Sequence, residues 1–102
     1  NMANLFKRYK VTATTSSAVI YTVPNSTTSV IIGLQAANKS AAQQSISVLH
    51  GTTYLAKSID IPVGSVMHFL DGKVVAEAGD VITIVASAGT ALDVILSCME
   101  TS

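Results

Sequence analysis

The sequence holds no tryptophan, one cysteine and two prolines in 102 residues, and only 12% of it is charged. Each scarcity excludes something. A lone Cys98 cannot close an internal disulfide; beside Leu96 on an apolar strand it reads as a small core hydrophobe, which fits a protein made in a reducing cytoplasm. Disorder needs low hydrophobicity and high charge, and 49% of this chain is hydrophobic. A membrane helix needs about 18 consecutive apolar residues. The longest run here, Val30 to Leu34, is strand-sized and contains Gly33. No apolar segment of the signal-peptide kind precedes the first polar strand, and Asn1 before Met2 reads as an expression remnant, so the expected domain is 2–102. A formal net charge of zero argues against nucleic acid as the main partner.

Chemistry is equally sparse. His50 and His68 both fall at strand positions, with no cysteine or second histidine at ligand spacing, so no metal site or cofactor is expected. A triad is assembled by the fold and cannot be read from spacing, but no GxSxG elbow is present, and the expectation is that the protein is not an enzyme. The acids Asp60, Asp71, Glu77 and Asp80 sit in or near turns without the D-x-D-x-D-G spacing of a calcium loop; Asp80, after Gly79, is expected to bond its own turn backbone. The glycines are dispersed over turns and a strand and form no phosphate loop. Carbohydrate binding usually needs stacking rings; a cluster of Tyr21, Tyr54 and His50 exposed at one end of the domain would supply them.

What the chain does have is short β-branched runs at intervals of about ten residues. The stretch from Lys73 to Met99 shows this most plainly: a short strand, the turn Glu77–Asp80, a strand from Val81 to Ala86, a small-residue turn, and a strand from Leu92 to Met99. Ahead of it come strands at 5–13, 18–23, 28–37, 45–51, 54–61 and 65–70, separated by turn signals such as Pro24-Asn25-Ser26 and Pro62-Val63-Gly64. Asp71-Gly72 has the two-residue signature of a tight hairpin. Residues 41–44 are too few for an independent helix. The pattern predicts an all-β single domain: a jelly-roll-like β-sandwich of eight or nine short antiparallel strands.

Three strands are apolar on both faces. In 28–37, Val30, Ile32, Leu34 and Ala36 line one side, and Ile31, Gly33 and Ala37 the other; 81–86 and 92–99 read alike. A two-layer sandwich of about 100 residues buries one face per sheet, so a surplus apolar face must meet something else. A closed, cyclic homo-oligomer meets that need, with a trimer favoured. At about 25 cal/mol per Å² of apolar area, a few hundred Å² is worth several kcal/mol before association costs. Charge is segregated as well. Lys7, Arg8, Lys10, Lys39 and Lys57 all precede the first acid, and six acids share the remainder with Lys73 alone. Either the halves pair within the fold, or the basic N-terminal strand meets an acidic neighbour. The expected assembly interface is therefore Leu5, Phe6, Lys7, Arg8, Tyr9 and Lys10, joined by Ile31, Ile95 and Met99 from the outer faces of 30–37 and 92–99.

Three segments carry a resemblance. Met2-Ala3-Asn4-Leu5-Phe6-Lys7-Arg8, Ala18-Val19-Ile20-Tyr21-Thr22-Val23-Pro24 and Ala76-Glu77-Ala78-Gly79-Asp80-Val81-Ile82 resemble small all-β virion structural proteins of tailed bacteriophages, the cyanophage-like type. The resemblance runs from Met2 to about Met99, in motifs that describe strands and turns. It implies a non-enzymatic assembly role and brings no catalytic residues with it. The expected function is a homo-oligomeric capsid decoration (cement) protein, made in the bacterial cytoplasm and located in the virion. Its partners would be copies of itself and the major capsid or other virion proteins, with no nucleic acid and no membrane. The alternatives are a neck, tail or fibre component, or a host-recognition module that binds carbohydrate.

Overall fold

The computed structural model describes residues 4–102. The expected start at Met2, the remnant Asn1 and the first two residues of the Met2–Arg8 motif lie outside them. Nine strands form: β1 (Asn4–Thr12), β2 (Ala18–Thr22), β3 (Thr28–Asn38), β4 (Gln44–His50), β5 (Thr53–Ile61), β6 (Val66–His68), β7 (Val74–Ala76), β8 (Val81–Ala86) and β9 (Leu92–Thr101). They build two antiparallel sheets. Sheet A runs β1-β9-β3, with β6 and β7 both pairing the far side of β3; sheet B runs β2-β8-β4-β5. Counting β6 and β7 as one interrupted strand gives two four-stranded sheets, and every connection except β4–β5 crosses between them. That is the jelly-roll arrangement.

The alternating apolar positions meet between the layers. Sheet A contributes Ile31, Leu34, Ala36, Leu92, Val94, Leu96 and Cys98; sheet B contributes Ile20, Ile46, Val48, Ile82, Ile84 and Ala86. Cys98 is a buried free thiol, as its sequence context predicts. Gly51, at φ 64°, turns β4 directly into β5, a left-handed conformation that favours glycine. The Asp80 carboxylate accepts the Glu77 amide at 2.9 Å and so closes its own turn.

Two sequence expectations fail, because turn chemistry does not choose a strand's pairing partner. Asp71-Gly72 does not close a hairpin, because β6 and β7 each pair with β3 and not with one another. The turns at Glu77–Asp80 and Ser87–Thr90 likewise join strands of opposite sheets, β7 to β8 and β8 to β9. Turn residues mark where the chain reverses; they do not say which sheet receives it.

The faces of β3 also differ from strict alternation. The strand carries a bulge between Ile31 and Gly33 against β9. Ile32 is the extra residue. Ile31 and Leu34 consequently both point inward, while Ile32 turns out to solvent at 43% exposure. Strict alternation through this strand therefore assigns Ile31 to the wrong side.

The 38–43 loop is organised by Asn38, buried at the end of β3. Its amide nitrogen donates to the carbonyls of Ala42 and Ile61, both at 2.9 Å, and its oxygen accepts from the Ser40 amide and hydroxyl. All of its main bonding capacity is used. Asn38→Ala is expected to destabilise the fold by about 1–3 kcal/mol, because the buried Ile61 carbonyl loses a partner. Urea denaturation checks this; a change below about 0.5 kcal/mol would show that water replaces the amide.

Candidate functional site

The antiparallel register of β1 on β9 sorts the N-terminal strand into two faces. Lys7, Tyr9 and Val11 stand opposite Cys98, Leu96 and Val94, on the inward side; Leu5 stands opposite Glu100 at the open end and is 51% exposed. Phe6, Arg8 and Lys10 stand opposite Met99, Ser97 and Ile95, on the outward side. The register then continues through Val30 of β3 to Val75 of β7, so a row Phe6–Met99–Val30–Val75 crosses the whole outer face of sheet A. Ile32 and Ile95 lie further along the same face, and Val66 opposite Ala37 extends it at the far end. Between these residues is a shallow depression of about 440 Å³, lined by Phe6, Lys7, Arg8, Ile32, Ser97 and Cys98.

Of the nine residues expected at an interface, the structure brings five together on this outer face: Phe6, Arg8, Lys10, Ile95 and Met99. Leu5, Lys7 and Tyr9 occupy the other side of the strand. Ile31 is fully buried in the core and is removed from the set; its place outside is taken by Ile32. Sequence reasoning also missed Val30 as a member of a continuous row, and Val75. Gly33 within a strand was the available signal for the bulge. Nothing in the local sequence announces Val75, because its neighbour Val30 is 45 positions away.

The inward side of β1 holds a polar cluster. The Glu100 carboxylate is buried and accepts the Tyr21 hydroxyl at 2.6 Å and the Tyr9 hydroxyl at 3.2 Å, with the Lys7 ammonium 3.4 Å away. The rings of Tyr9 and Tyr21 stack with centroids 4.7 Å apart, tying β1 to β2 across the sandwich. Burial pushes the Glu100 carboxyl up, but the Tyr21 hydrogen bond and then Lys7 outweigh it, and its pKa falls below the ordinary 4.5. Burial and the bond to Glu100 push the Tyr21 phenol well above its ordinary 10.0, and burial followed by the Glu100 charge raises Tyr9. These groups satisfy one another, and of them Lys7 alone also borders the shallow depression. Their role is structural, since together they fasten the edge strand to the rest of the sandwich.

Charge pairing within the fold is partial. Lys7–Glu100 and Lys39–Asp93 (3.0 Å) join N-terminal cations to C-terminal acids. Among the described residues, Arg8 and Lys10 belong to no ion pair.

No catalytic or ligand constellation gathers elsewhere in the described residues. His50 bonds Asp80 at 3.0 Å on sheet B, and His68 lies on β6 of sheet A opposite Gln35. No group of three or more His, Cys, Asp and Glu able to hold a metal occurs among the described residues. The exposed trio of Tyr21, Tyr54 and His50 does not form, because Tyr21 is 2% exposed and bonded to Glu100. Tyr54 is half-exposed and has the Lys57 ammonium 5.3 Å from its ring centre.

The fold defines a jelly-roll β-sandwich. Among solved structures, a chain of the Bacillus endospore appendages, described as a novel family of disulfide-linked pili, is similar: TM-score 0.51 and 18% identity, over 98% of this chain and 85% of that one. This likeness shows the fold. No protein-family model and no curated protein matches the sequence.

Proposed function

We propose that this chain is a non-enzymatic structural subunit that assembles with copies of itself. The observation that carries the reading is the outer face of sheet A. It presents a four-strand apolar row, with Ile32 and Ile95 beside it, on a molecule with few charges to keep such a face in water. The jelly-roll likeness to a subunit of a pilus agrees with this role. Cys98, the one cysteine of this sequence, is fully buried on the inward face and is not placed to bond a neighbouring subunit.

In its finer form the proposal is a capsid decoration protein of a tailed phage, forming trimers that bind the shell of the virion. That form rests on the Met2–Arg8, Ala18–Pro24 and Ala76–Ile82 motifs. Two of the three fall where the fold needs them: Ala18–Pro24 builds β2, and Ala76–Ile82 spans the crossover from β7 to β8. Repeated weak contacts of a decoration trimer on a symmetric shell would add by multivalency.

Light scattering over a dilution series tests the central claim. A concentration-independent trimer or larger ring is the expected result. A monomer at high concentration would overturn it, since the outer face would then need no partner. Adding the purified protein to phage shells that lack it, and measuring sedimentation with them, tests the finer form.

A further inference from the structure

Self-assembly leaves open how one copy meets the next, and the inference here rests on that reading. We infer that the interface is head-to-tail strand pairing: the free edge of β1 in one copy lies along β7, at the opposite edge of sheet A, in the next copy.

Three observations select this arrangement. The first is the position of the exposed apolar side chains. Phe6 and Val75 are the two most exposed large hydrophobics of the described residues, at 76% and 58%. They stand at the two ends of a single row, Phe6–Met99–Val30–Val75. Setting β1 of a second copy beside β7 brings its Phe6 against Val75 and continues the row from one molecule into the next. Each end covers the other.

The second is strand direction. β1 is antiparallel to β9, β9 to β3, and β3 to both β6 and β7. A neighbour related by translation and rotation along the sheet therefore presents its β1 antiparallel to β7, so the backbone amides and carbonyls of both edges gain partners with no change of fold.

The third is charge. β1 carries Lys7, Arg8 and Lys10 and no acid. In an antiparallel pairing of β1 with itself, every register centred between residues 7 and 9 sets one of these cations directly against another, which is unfavourable. Two-fold contacts in those registers are thereby disfavoured. The far edge of sheet A offers Asp71 and Glu77 against a single Lys73, and neither acid has an ion-pair partner among the described residues. With Phe6 opposite Val75, Lys10 is the matching unpaired cation, falling opposite Asp71, while Arg8 falls opposite Lys73. An interface that uses two different patches closes into a ring when its rotation allows, which is compatible with a trimer.

Two single variants test this, Phe6→Asp and Val75→Asp. Both sites are exposed, so each variant is expected to keep the wild-type melting temperature within a few degrees. Each alone is expected to weaken assembly at least tenfold and sediment as a monomer. Mixed in equal amounts, they are expected to form a one-to-one dimer and stop. The intact β7 edge of one accepts the intact β1 of the other, and both outer ends are blocked. Assembled wild type with both variants still assembling would overturn the pairing while leaving self-assembly standing. So would a Phe6→Asp monomer beside an unaffected Val75→Asp oligomer, which is the signature of β1 pairing with itself. A monomeric wild type would overturn the assembly reading and the pairing together.

Discussion

Ile31→Ala is expected to remove about 2–5 kcal/mol of stability, and Ile32→Ala about 0.5 kcal/mol or less. The two residues are adjacent and identical, and strict alternation would assign the larger effect to Ile32, grouped with Leu34 and Ala36. The bulge reverses this. Ile31 is fully buried opposite Cys98 in the β3–β9 register, among Leu34, Leu96 and the side chains of sheet B, so truncation leaves a cavity in a layer that cannot collapse onto it. Ile32 is the extra residue of the bulge and already 43% exposed. In a domain of about 100 residues, each kcal/mol moves the melting temperature by roughly 4–8 °C. Ile31→Ala should therefore melt at least 10 °C below wild type and Ile32→Ala within a few degrees of it. Equal shifts would show that the bulge is absent in solution. If Ile32 contributes to assembly, its variant weakens association while leaving the melting of the monomer unchanged, a separation that Ile31→Ala cannot show.

The second large effect belongs to Glu100. Glu100→Gln keeps the shape but removes the charge that Tyr21, Tyr9 and Lys7 all address. Hydrogen bonds to a charged group contribute about 1.5–3 kcal/mol, so a loss of that order is expected at neutral pH. The pH dependence fixes the assignment. The folded pKa of Glu100 lies below its ordinary 4.5, so its contribution is complete above about pH 4.5 and is lost as pH falls through the folded value. Asp80, held down by the Glu77 amide and His50, and Asp93, held down by Lys39 and Thr12, behave alike below their ordinary 3.8. Glu100→Gln leaves those two in place, so the gap between wild type and variant should narrow below pH 4.5 while both proteins continue to lose stability. On the alkaline side the sign reverses. The Tyr21 and Tyr9 phenols are raised above 10.0, so the stability they contribute is complete below pH 10 and is lost as pH rises beyond it. Tyr21→Phe should flatten that alkaline decline. Melting curves from pH 3 to pH 11 test both limbs. A constant gap between wild type and Glu100→Gln across the acid range would mean that Glu100 folds with an unperturbed carboxyl.

Ile31 and Glu100 show different kinds of legibility. The strand count, the turn positions, the burial of Cys98 and the two-faced apolar character of 81–86 and 92–99 could be read locally, because side-chain alternation and turn chemistry act over a few residues. So could the mixed faces of β1: Lys7 with Leu5, Tyr9 and Val11 on one side, Phe6, Arg8 and Lys10 on the other, as an edge strand requires. Glu100 could not. Near the end of a strand it looks like a solvated acid, and only the fold sets Tyr21, 79 positions away, within 2.6 Å of it.

Periodicity and composition alone make this chain an all-β sandwich with more apolar strand surface than one core can cover. They suffice because they fix how much surface must be buried, whatever the topology. Which surface that is depends on how the strands pair and cross. The crossing of successive strands between sheets, the extra residue at Ile32 and the pairing of β7 with β3 assemble Phe6, Met99, Val30 and Val75 into one row. These are long-range choices of partner and register, set by how two whole sheets pack, and no short stretch of sequence encodes them.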